Sequence, residues 1–473
     1  MSVTQQQVVE WCKKQVASAT DFPSLESCLD AIPSLETLAP LPRGTRVLVR
    51  GDTDVVFDDQ GNIEEDVRLQ SLVQTVKYGL EKGWVLILYG HRGRDPQLSL
   101  KPVADYMQKL MREKGFPNLE VQFCSNWMDD ATGKIDPEAG KQVASLSPGS
   151  LIVLENTRKY KLEQALWKAK APDIEAMGER LSNYANGMRE QFASVHINEG
   201  FASSNRDLSS TLVPLTMDQV AFGSYIDTEL KKHVTRTRLA EMVIFSGLKI
   251  NKLDDLQAIL NRGQVKLVIA AGSLAMALKK AVAELDGTTF DMGEAGDPAK
   301  SDSKIYIPPE RIAQAKEMVQ KGRSNGVEFV LPVDFILGDG NASDTIPNGA
   351  AQFDVGPKTI ELQAQKVGEF INYSAEKQKA GKGPAVCFHN GVFGMFEKEQ
   401  FANGTRKFVD QLKRMHESGV EVYVGGGEGG AALMRYGNES WVTHCFTAGG
   451  TILKALGTEP IPYVKALYLL TQK

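Results

Sequence analysis

From Arg46 onward, two hydrophobic periods alternate along the chain. Short apolar runs at Arg46–Arg50, Trp84–Tyr89, Val121–Phe123, Ser150–Leu154 and Ala193–Ile197 are separated by stretches such as Asp66–Lys82 and Ser99–Lys114. In those stretches apolar residues recur every three to four positions, so the runs predict buried strands and the stretches amphipathic helices, with another helix around 174–187. The segment Leu212–Val234 reads as a long helical connector with no strand of its own. The alternation then restarts. Strands at Met242–Phe245, Lys266–Ile269, Glu328–Pro332, Ala385–Phe388, Val422–Val424 and Trp441–Phe446 interleave with helices at Leu253–Leu260, Ser273–Glu284, 309–323, 359–371 and 398–417, while the polar stretch 286–303 reads as a loop. Strands alternating with helices of this length build right-handed βαβ units and a mostly parallel sheet. The expected fold class is α/β: two doubly wound, Rossmann-like parallel-sheet domains joined by a hinge helix.

The boundaries that follow are a first domain over 43–215, the hinge over 216–235 and a second domain over 236–455, with the tail 456–473 packing back on the first. Residues 1–42 stand outside the alternation. Gln5–Val16 is helical in pattern and the remainder is rich in Pro, Ser and Leu, so this segment is expected to be a surface extension, available to a protein partner.

Composition changes this picture little. At 473 residues the chain is too long for one ordinary domain, and 42% apolar residues supply ample core. A net charge of −5 gives no general attraction to nucleic acid or to a membrane surface. The cysteines (Cys12, Cys28, Cys124, Cys387, Cys445) are odd in number and lack metal-ligand spacing, which suits a reducing compartment without disulfides. No apolar run approaches bilayer-spanning length and the N-terminus carries no signal or presequence pattern, so the expected location is the cytoplasm.

Ligands of parallel α/β sheets bind beyond the carboxyl ends of the strands, and the chemistry concentrates there. In the first domain Asp52 and Asp54 follow the first strand, Arg68 opens the next helix, and His91 to Arg94 follow the second strand. Glu155 to Arg158 and Asn198 to Arg206 follow two more. Several basic side chains gathered from separate loops repel one another, which is poor for a fold and good for holding a small phosphorylated acid. In the second domain Gly425 to Gly430 form a strand–glycine turn–helix unit whose backbone N–H groups favour phosphate, with Glu428 as a Mg²⁺ ligand. Ser246 to Lys249, Ala270 to Ser273, Asp354 to Thr359 and Asn390 to Glu397 outline the rest of a nucleotide cleft. An acid site on one domain and a nucleotide site on the other point to phosphoryl transfer by domain closure.

These segments resemble the phosphoglycerate kinase family from about Arg46 to the C-terminus. Val49 to Asp54 is similar to the family's VRxDFN, His91 to Arg94 to HLGR, Glu155 to Arg158 to ENLR, and Asn198 to Arg206 to NDAFG…HR. Asp354 to Thr359 resembles DIGPKT, Asn390 to Glu397 NGPMGVFE, and Phe401 to Thr405 FAxGT. The resemblance implies reversible phosphoryl transfer between 1,3-bisphosphoglycerate and Mg-ADP, giving 3-phosphoglycerate and ATP. It implies 3-phosphoglycerate binding by Asp52, Asp54, Arg68, His91, Arg94, Arg158 and Arg206. It implies nucleotide binding by Lys252, Gly272, Lys358, Asn390, Glu397, Gly426, Gly427, Glu428 and Gly429, with Glu428 on the metal. Catalytic roles fall to Arg68, Lys249, Lys252, Gly426 and Gly449. A monomer is also implied. There are departures: the family's asparagine is Asp54, GGAKVSDK is Ser246 to Lys252 with one residue fewer, GGGMA is Ala270 to Leu274, GGGDTAAA is Gly425 to Ala432 with Glu428 and Gly429 for Asp and Thr, and TGGGAS is Thr447 to Ile452. They leave a second expectation, a catalytically weak or inactive binding or scaffold protein with a degenerate nucleotide site.

Overall fold

The apolar runs form the strands they predict. In the first unit β1 (Arg46–Arg50), β2 (Val85–Tyr89), β3 (Val121–Cys124), β4 (Leu151–Leu154), β5 (Val195–Asn198) and β6 (Gln219–Phe222) make one sheet in the order β3-β4-β2-β1-β5-β6. Every pairing is parallel; Val47 in β1, for example, aligns with Leu86 in β2 and with Val195 in β5. The central strands β2, β4 and β5 are buried along their whole length, as continuous Val, Leu and Ile runs require when helices cover both faces. The computed structural model describes residues 2–18, 22–457 and 460–472. It divides into Met1–Lys232 with Glu459–Lys473, and His233–Thr458.

Two expectations for the first unit are corrected. The segment 212–234 is not a continuous helical connector. Val213–Thr216 is one 3-10 turn, Gln219–Phe222 extends the sheet as β6, and α-helix begins at Ser224 and continues as a π-helix over Glu229–Val234. Four residues flanked by polar positions carry too little period to announce a strand. Nor is the N-terminus a surface extension. Helix α1 (Gln5–Val16) is closed by a capping box between Thr4 and Gln7, and its Val8, Trp11 and Cys12 are buried in the same core as Leu208 and Leu212. Helix α2 (Val67–Glu81) covers the sheet with Leu69, Leu72, Val76 and Leu80.

The second unit repeats the construction. Strands β7 (Met242–Phe245), β8 (Leu267–Ala270), β9 (Glu328–Val330), β13 (Val386–Asn390), β14 (Glu421–Val424) and β15 (His444–Cys445) form a parallel sheet in the order β9-β8-β7-β13-β14-β15. Between them, β10 (Phe335–Leu337), β11 (Ala342–Ser343) and β12 (Gln352–Val355) build a small antiparallel sheet absent from the sequence reading. Helices α3 (Lys252–Leu260), α4 (Gly272–Leu285), α5 (Pro357–Lys379), α6 (Glu428–Tyr436) and α7 (Gly449–Leu456) start where strands end, and α5 runs well past the expected 371. The final helix α8 (Pro462–Thr471) belongs to the first unit and buries Tyr463, Val464 and Leu467 there.

Candidate active site

In the first unit the loops after β1, β2, β4 and β5 leave neighbouring parallel strands at one edge of the sheet, and they carry the expected acid-binding residues. Asp52 is buried; its Oδ2 accepts from the Ala202 N–H at 3.1 Å and its Oδ1 lies 3.9 Å from Arg68 Nη1. Asp54 Oδ1 accepts from the Gly93 N–H at 2.7 Å. Its Oδ2 is 3.5 Å from both Arg68 Nη1 and His91 Nε2. Arg68, in the first turn of α2, also donates to the Asp54 carbonyl at 2.6 Å. Arg158 donates to the Gly93 carbonyl at 3.0 Å, and its guanidinium lies over the Trp167 ring at 5.1 Å. Asp52, Asp54, Arg68, His91 and Arg158 are therefore joined contact by contact. Arg94 is exposed, and Arg206 donates through Nε to the Gln15 carbonyl at 3.2 Å, so neither joins that set directly.

Under this layer lies a buried network that sequence reasoning missed. Arg50, the last residue of β1, is fully buried. Its Nε donates to Ser209 Oγ at 2.8 Å, and its Nη2 to Ser203 Oγ at 2.8 Å and to His91 Nδ1 at 3.1 Å. Asp207 Oδ2 lies 3.8 Å from both Arg50 and Arg158, and Asp207 Oδ1 accepts from Trp167 Nε1 at 2.7 Å. Glu163 accepts from the backbone and hydroxyl of Ser209. The available signal was an arginine ending an apolar strand, a charge with no path to solvent. A buried charge of this kind needs partners.

The network fixes the state of His91. A guanidinium only donates, so Nδ1 must accept from Arg50 and the proton sits on Nε2, toward Asp54. Burial pushes the His91 pKa down, and Arg50 and Arg158 add to this against the opposing pull of Asp54 and Asp207. For Asp54, burial pushes the carboxyl up, but the hydrogen bond from His91, the Gly93 N–H and the Arg68 guanidinium together hold it well below the usual carboxylate range. Burial, with the Asp207 charge beside it, pushes Glu163 up. The edge thus presents an ionised acid, a neutral imidazole and fixed guanidinium groups.

In the second unit the glycine loops converge at the carboxyl edge of the sheet. Gly272 has φ +64°, and a Cβ there would lie 2.5 Å from the Gly247 carbonyl oxygen, so two backbones meet where only glycine fits. A Cβ on Gly426 would lie 2.2 Å from the Phe446 carbonyl oxygen and one on Gly449 2.9 Å from the Gly426 oxygen, which brings the loops after β14 and β15 together. The Asn390 side-chain amide packs against Gly425 and Gly449, and the Asn390 main-chain carbonyl accepts from the Ser246 N–H at 3.0 Å. Gly427 precedes α6, and Glu428 and Gly429 form its first turn, whose N–H groups have no partner within the helix. Lys252 Nζ donates to the Ser246 carbonyl at 2.6 Å and lies 4.0 Å from Glu428 Oε2. Burial lowers its pKa, with Glu428 opposing and Lys249 reinforcing the shift. Gly247 and Gly391, unremarked as ligands in the sequence, complete the cluster: a Cβ on Gly391 would lie 2.1 Å from the Ser246 carbonyl and 2.9 Å from Lys252 Nζ.

Two expected nucleotide-side residues, Lys358 and Glu397, stand apart from these contacts, and the Lys249 side chain bears on them only through its charge near Lys252. Lys358 is paired with Asp344 at 2.7 Å, while Glu397 and Lys249 are exposed. Glu428 is half exposed at the start of α6. A single hard carboxylate at a glycine turn that opens a helix is a donor of the kind Mg²⁺ takes, one or two carboxylates at a time.

The phosphoglycerate kinase family model matches residues 41–459 of the chain. The chain belongs to this family. The phosphoglycerate kinase of Aspergillus oryzae is 30% identical over 445 residues, covering 89% of this chain and 95% of that protein. That of Chloroflexus aggregans is 28% identical over 442 residues, covering 90% and 96%. Among solved structures, phosphoglycerate kinase from Pyrococcus horikoshii superposes with a TM-score of 0.70 at 19% identity, over 93% of this chain and 99% of that one. The Coxiella burnetii phosphoglycerate kinase gives 0.66 at 21%, over 92% and 99%. These structures show the shared fold. The phosphoglycerate kinase match takes in both loop clusters and begins beyond α1.

Proposed function

We propose that the chain catalyses reversible phosphoryl transfer between 1,3-bisphosphoglycerate and Mg-ADP, yielding 3-phosphoglycerate and ATP. The observation that carries this reading is the contact-linked set Asp52, Asp54, Arg68, His91 and Arg158 at the strand ends of a chain that belongs to the phosphoglycerate kinase family.

In this reading the guanidinium groups of Arg68 and Arg158 hold the acid and its phosphate. His91, kept neutral with its proton on Nε2, donates to a ligand oxygen. Asp52 accepts from a ligand hydroxyl and so fixes the orientation of the acid. Arg94 and Arg206 join from the same loops. Arg68 also neutralises charge developing on the transferring group, a role suited to a rigid cation. On the other unit the first-turn N–H groups of α6 and the loops at Gly272, Gly426, Gly427, Gly429 and Gly449 receive the nucleotide phosphates, with Lys249, Lys252, Lys358, Asn390 and Glu397 as side-chain contacts. Glu428 would hold Mg²⁺, which supplies charge neutralisation when bound. Catalysis of this kind is positioning plus electrostatics, with little covalent work for the protein.

The reading includes a cytosolic monomer. Among the described residues no helix is long and apolar enough to cross a membrane. The apolar face of α1 is occupied by this chain's own core, which leaves a partner-docking role for the N-terminus without support. The binding-only alternative is not favoured by the comparisons, since both curated relatives named above are phosphoglycerate kinases over most of their length. The test is turnover of purified protein with 3-phosphoglycerate and Mg-ATP, alongside Arg68→Ala. We expect turnover that falls at least 100-fold in the variant, the scale on which one transition-state donor acts. Activity insensitive to Arg68→Ala would remove this assignment.

A further inference from the structure

Helix α1 lies outside the family match, which starts at residue 41. Beyond the core it shares with Leu208 and Leu212, two hydrogen bonds among the described residues tie it to the site-bearing segment. Trp11, buried, donates through Nε1 to the Thr211 carbonyl at 2.8 Å. The Gln15 carbonyl, in the last turn, accepts from Arg206 Nε at 3.2 Å. Those two contacts bracket residues 206–211, the segment that carries Asp207, 3.8 Å from Arg50 and Arg158, and Ser209, bonded to Arg50 Nε.

The end of α1 is itself held from a third direction. Lys465 of α8, almost fully buried, donates to the Ala17 carbonyl at 2.9 Å and reaches the Gln15 carbonyl at 3.5 Å. The last carbonyls of a helix have no partners within it and carry partial negative charge, so two cations there satisfy groups that burial would otherwise leave unpaired. Among the described residues Arg206 bonds through Nε and not through the terminal nitrogens of its fork. A guanidinium anchored through Nε has fewer rotamers to lose when its terminal nitrogens take a ligand.

We infer that α1 is a positioning element for the acid-binding edge of this chain, setting Arg206 and the 206–211 segment through Trp11 and the Gln15 carbonyl. The inference rests on the assignment of that edge to 3-phosphoglycerate. In physical terms α1 does for this loop what a supporting shell of hydrogen bonds does for a ligand residue: it fixes the side chain before the ligand arrives. It therefore acts on affinity for the acid and leaves the nucleotide side untouched.

The experiment uses the full chain with Trp11→Phe, which keeps an aromatic ring and drops the donor, and Lys465→Met, which keeps the stem and drops the charge. The KM for 3-phosphoglycerate is expected to rise five- to ten-fold in each, with kcat within two-fold and the KM for Mg-ATP unchanged. In an Arg206→Ala background Lys465→Met, which acts on the Gln15 carbonyl that Arg206 shares, should add less than two-fold. Hydrogen exchange across residues 204–211, measured without ligand, should quicken in both single variants. Quickened exchange with an unchanged KM for the acid would make α1 merely structural and overturn the inference. So would equal rises in both KM values, or full additivity of Lys465→Met with Arg206→Ala. Absence of turnover and of 3-phosphoglycerate binding in the unsubstituted chain would instead remove the functional assignment, and the inference with it.

Discussion

Replacing Asp54 by asparagine should tighten binding of 3-phosphoglycerate. The carboxylate sits 3.5 Å from Arg68 and 3.5 Å from His91, the groups assigned to the anion, and so competes with the ligand for them. Its side chain is 31% exposed. Two unit charges about 4 Å apart interact by roughly 1 kcal/mol in water and about 4 kcal/mol at the effective dielectric of a protein surface. At this partial exposure about 2 kcal/mol of repulsion is a reasonable middle value, or roughly a 30-fold change in affinity. Asparagine keeps an oxygen for the Gly93 N–H, so the loop should stay in place. Calorimetric titration of Asp54→Asn against the unsubstituted chain measures the effect directly. Acidification should not mimic it, because the Asp54 carboxyl is held well below the usual range and stays ionised from pH 8 to pH 5. The sign for stability runs the other way. A depressed carboxyl contributes stability above its unfolded pKa, near 3.8, and loses it as pH falls through the lower folded value. Asp54→Asn should therefore melt earlier at pH 7 and converge with the unsubstituted chain in acid. Unchanged or weaker binding in the variant would refute this reasoning.

Gly272→Ala should cost about 3 kcal/mol, since it combines a left-handed φ with a Cβ 2.5 Å from the Gly247 backbone oxygen; a loss of unfolding free energy below about 1 kcal/mol in urea titration would contradict the packing. His389 is buried, and neither ring nitrogen has a hydrogen-bond partner among the described residues. Burial, then the Lys252 charge, lowers its pKa to about 3, so the neutral folded ring costs stability as pH falls from about 6.5 toward 3. His389→Phe, stacked on Phe393 and Phe408, should remove roughly 3 kcal/mol of that loss by pH 4, read as a melting difference that grows on acidification. Glu428→Asp with Gly429→Thr should tighten Mg-ADP binding about five-fold by shortening the carboxylate and adding a hydroxyl at the first turn of α6; no change in calorimetry would show that the loop is not the phosphate site.

The long strands were legible because burial on both faces demands uninterrupted apolar runs, as in Val85–Tyr89 and Met242–Phe245. The strand Gln219–Phe222 was not, since one polar end and four residues leave no period to detect. The small sheet around Phe335–Val355 escaped for the same reason, with strands of two to four residues separated by Gly- and Asp-rich turns. For α1 the pattern announced an apolar face but not whose core it would join. At the site, loops after strands located Asp52, Asp54, Arg68, His91 and Arg158. The Arg50–Asp207–Glu163 network stayed hidden because its members come from three separate elements and each looks like an ordinary charge. Lys358 shows the converse: its motif was clear, but the ion pair with Asp344 depends on a hairpin the sequence did not reveal.

The central claim is that one unit holds a phosphorylated carboxylic acid and the other an adenine nucleotide, for transfer between them. Steady-state turnover of the purified full chain, measured with 3-phosphoglycerate and Mg-ATP and again with 1,3-bisphosphoglycerate and Mg-ADP, tests it most directly. The account predicts saturable turnover in both directions. Saturating substrates with no product in either direction would contradict it.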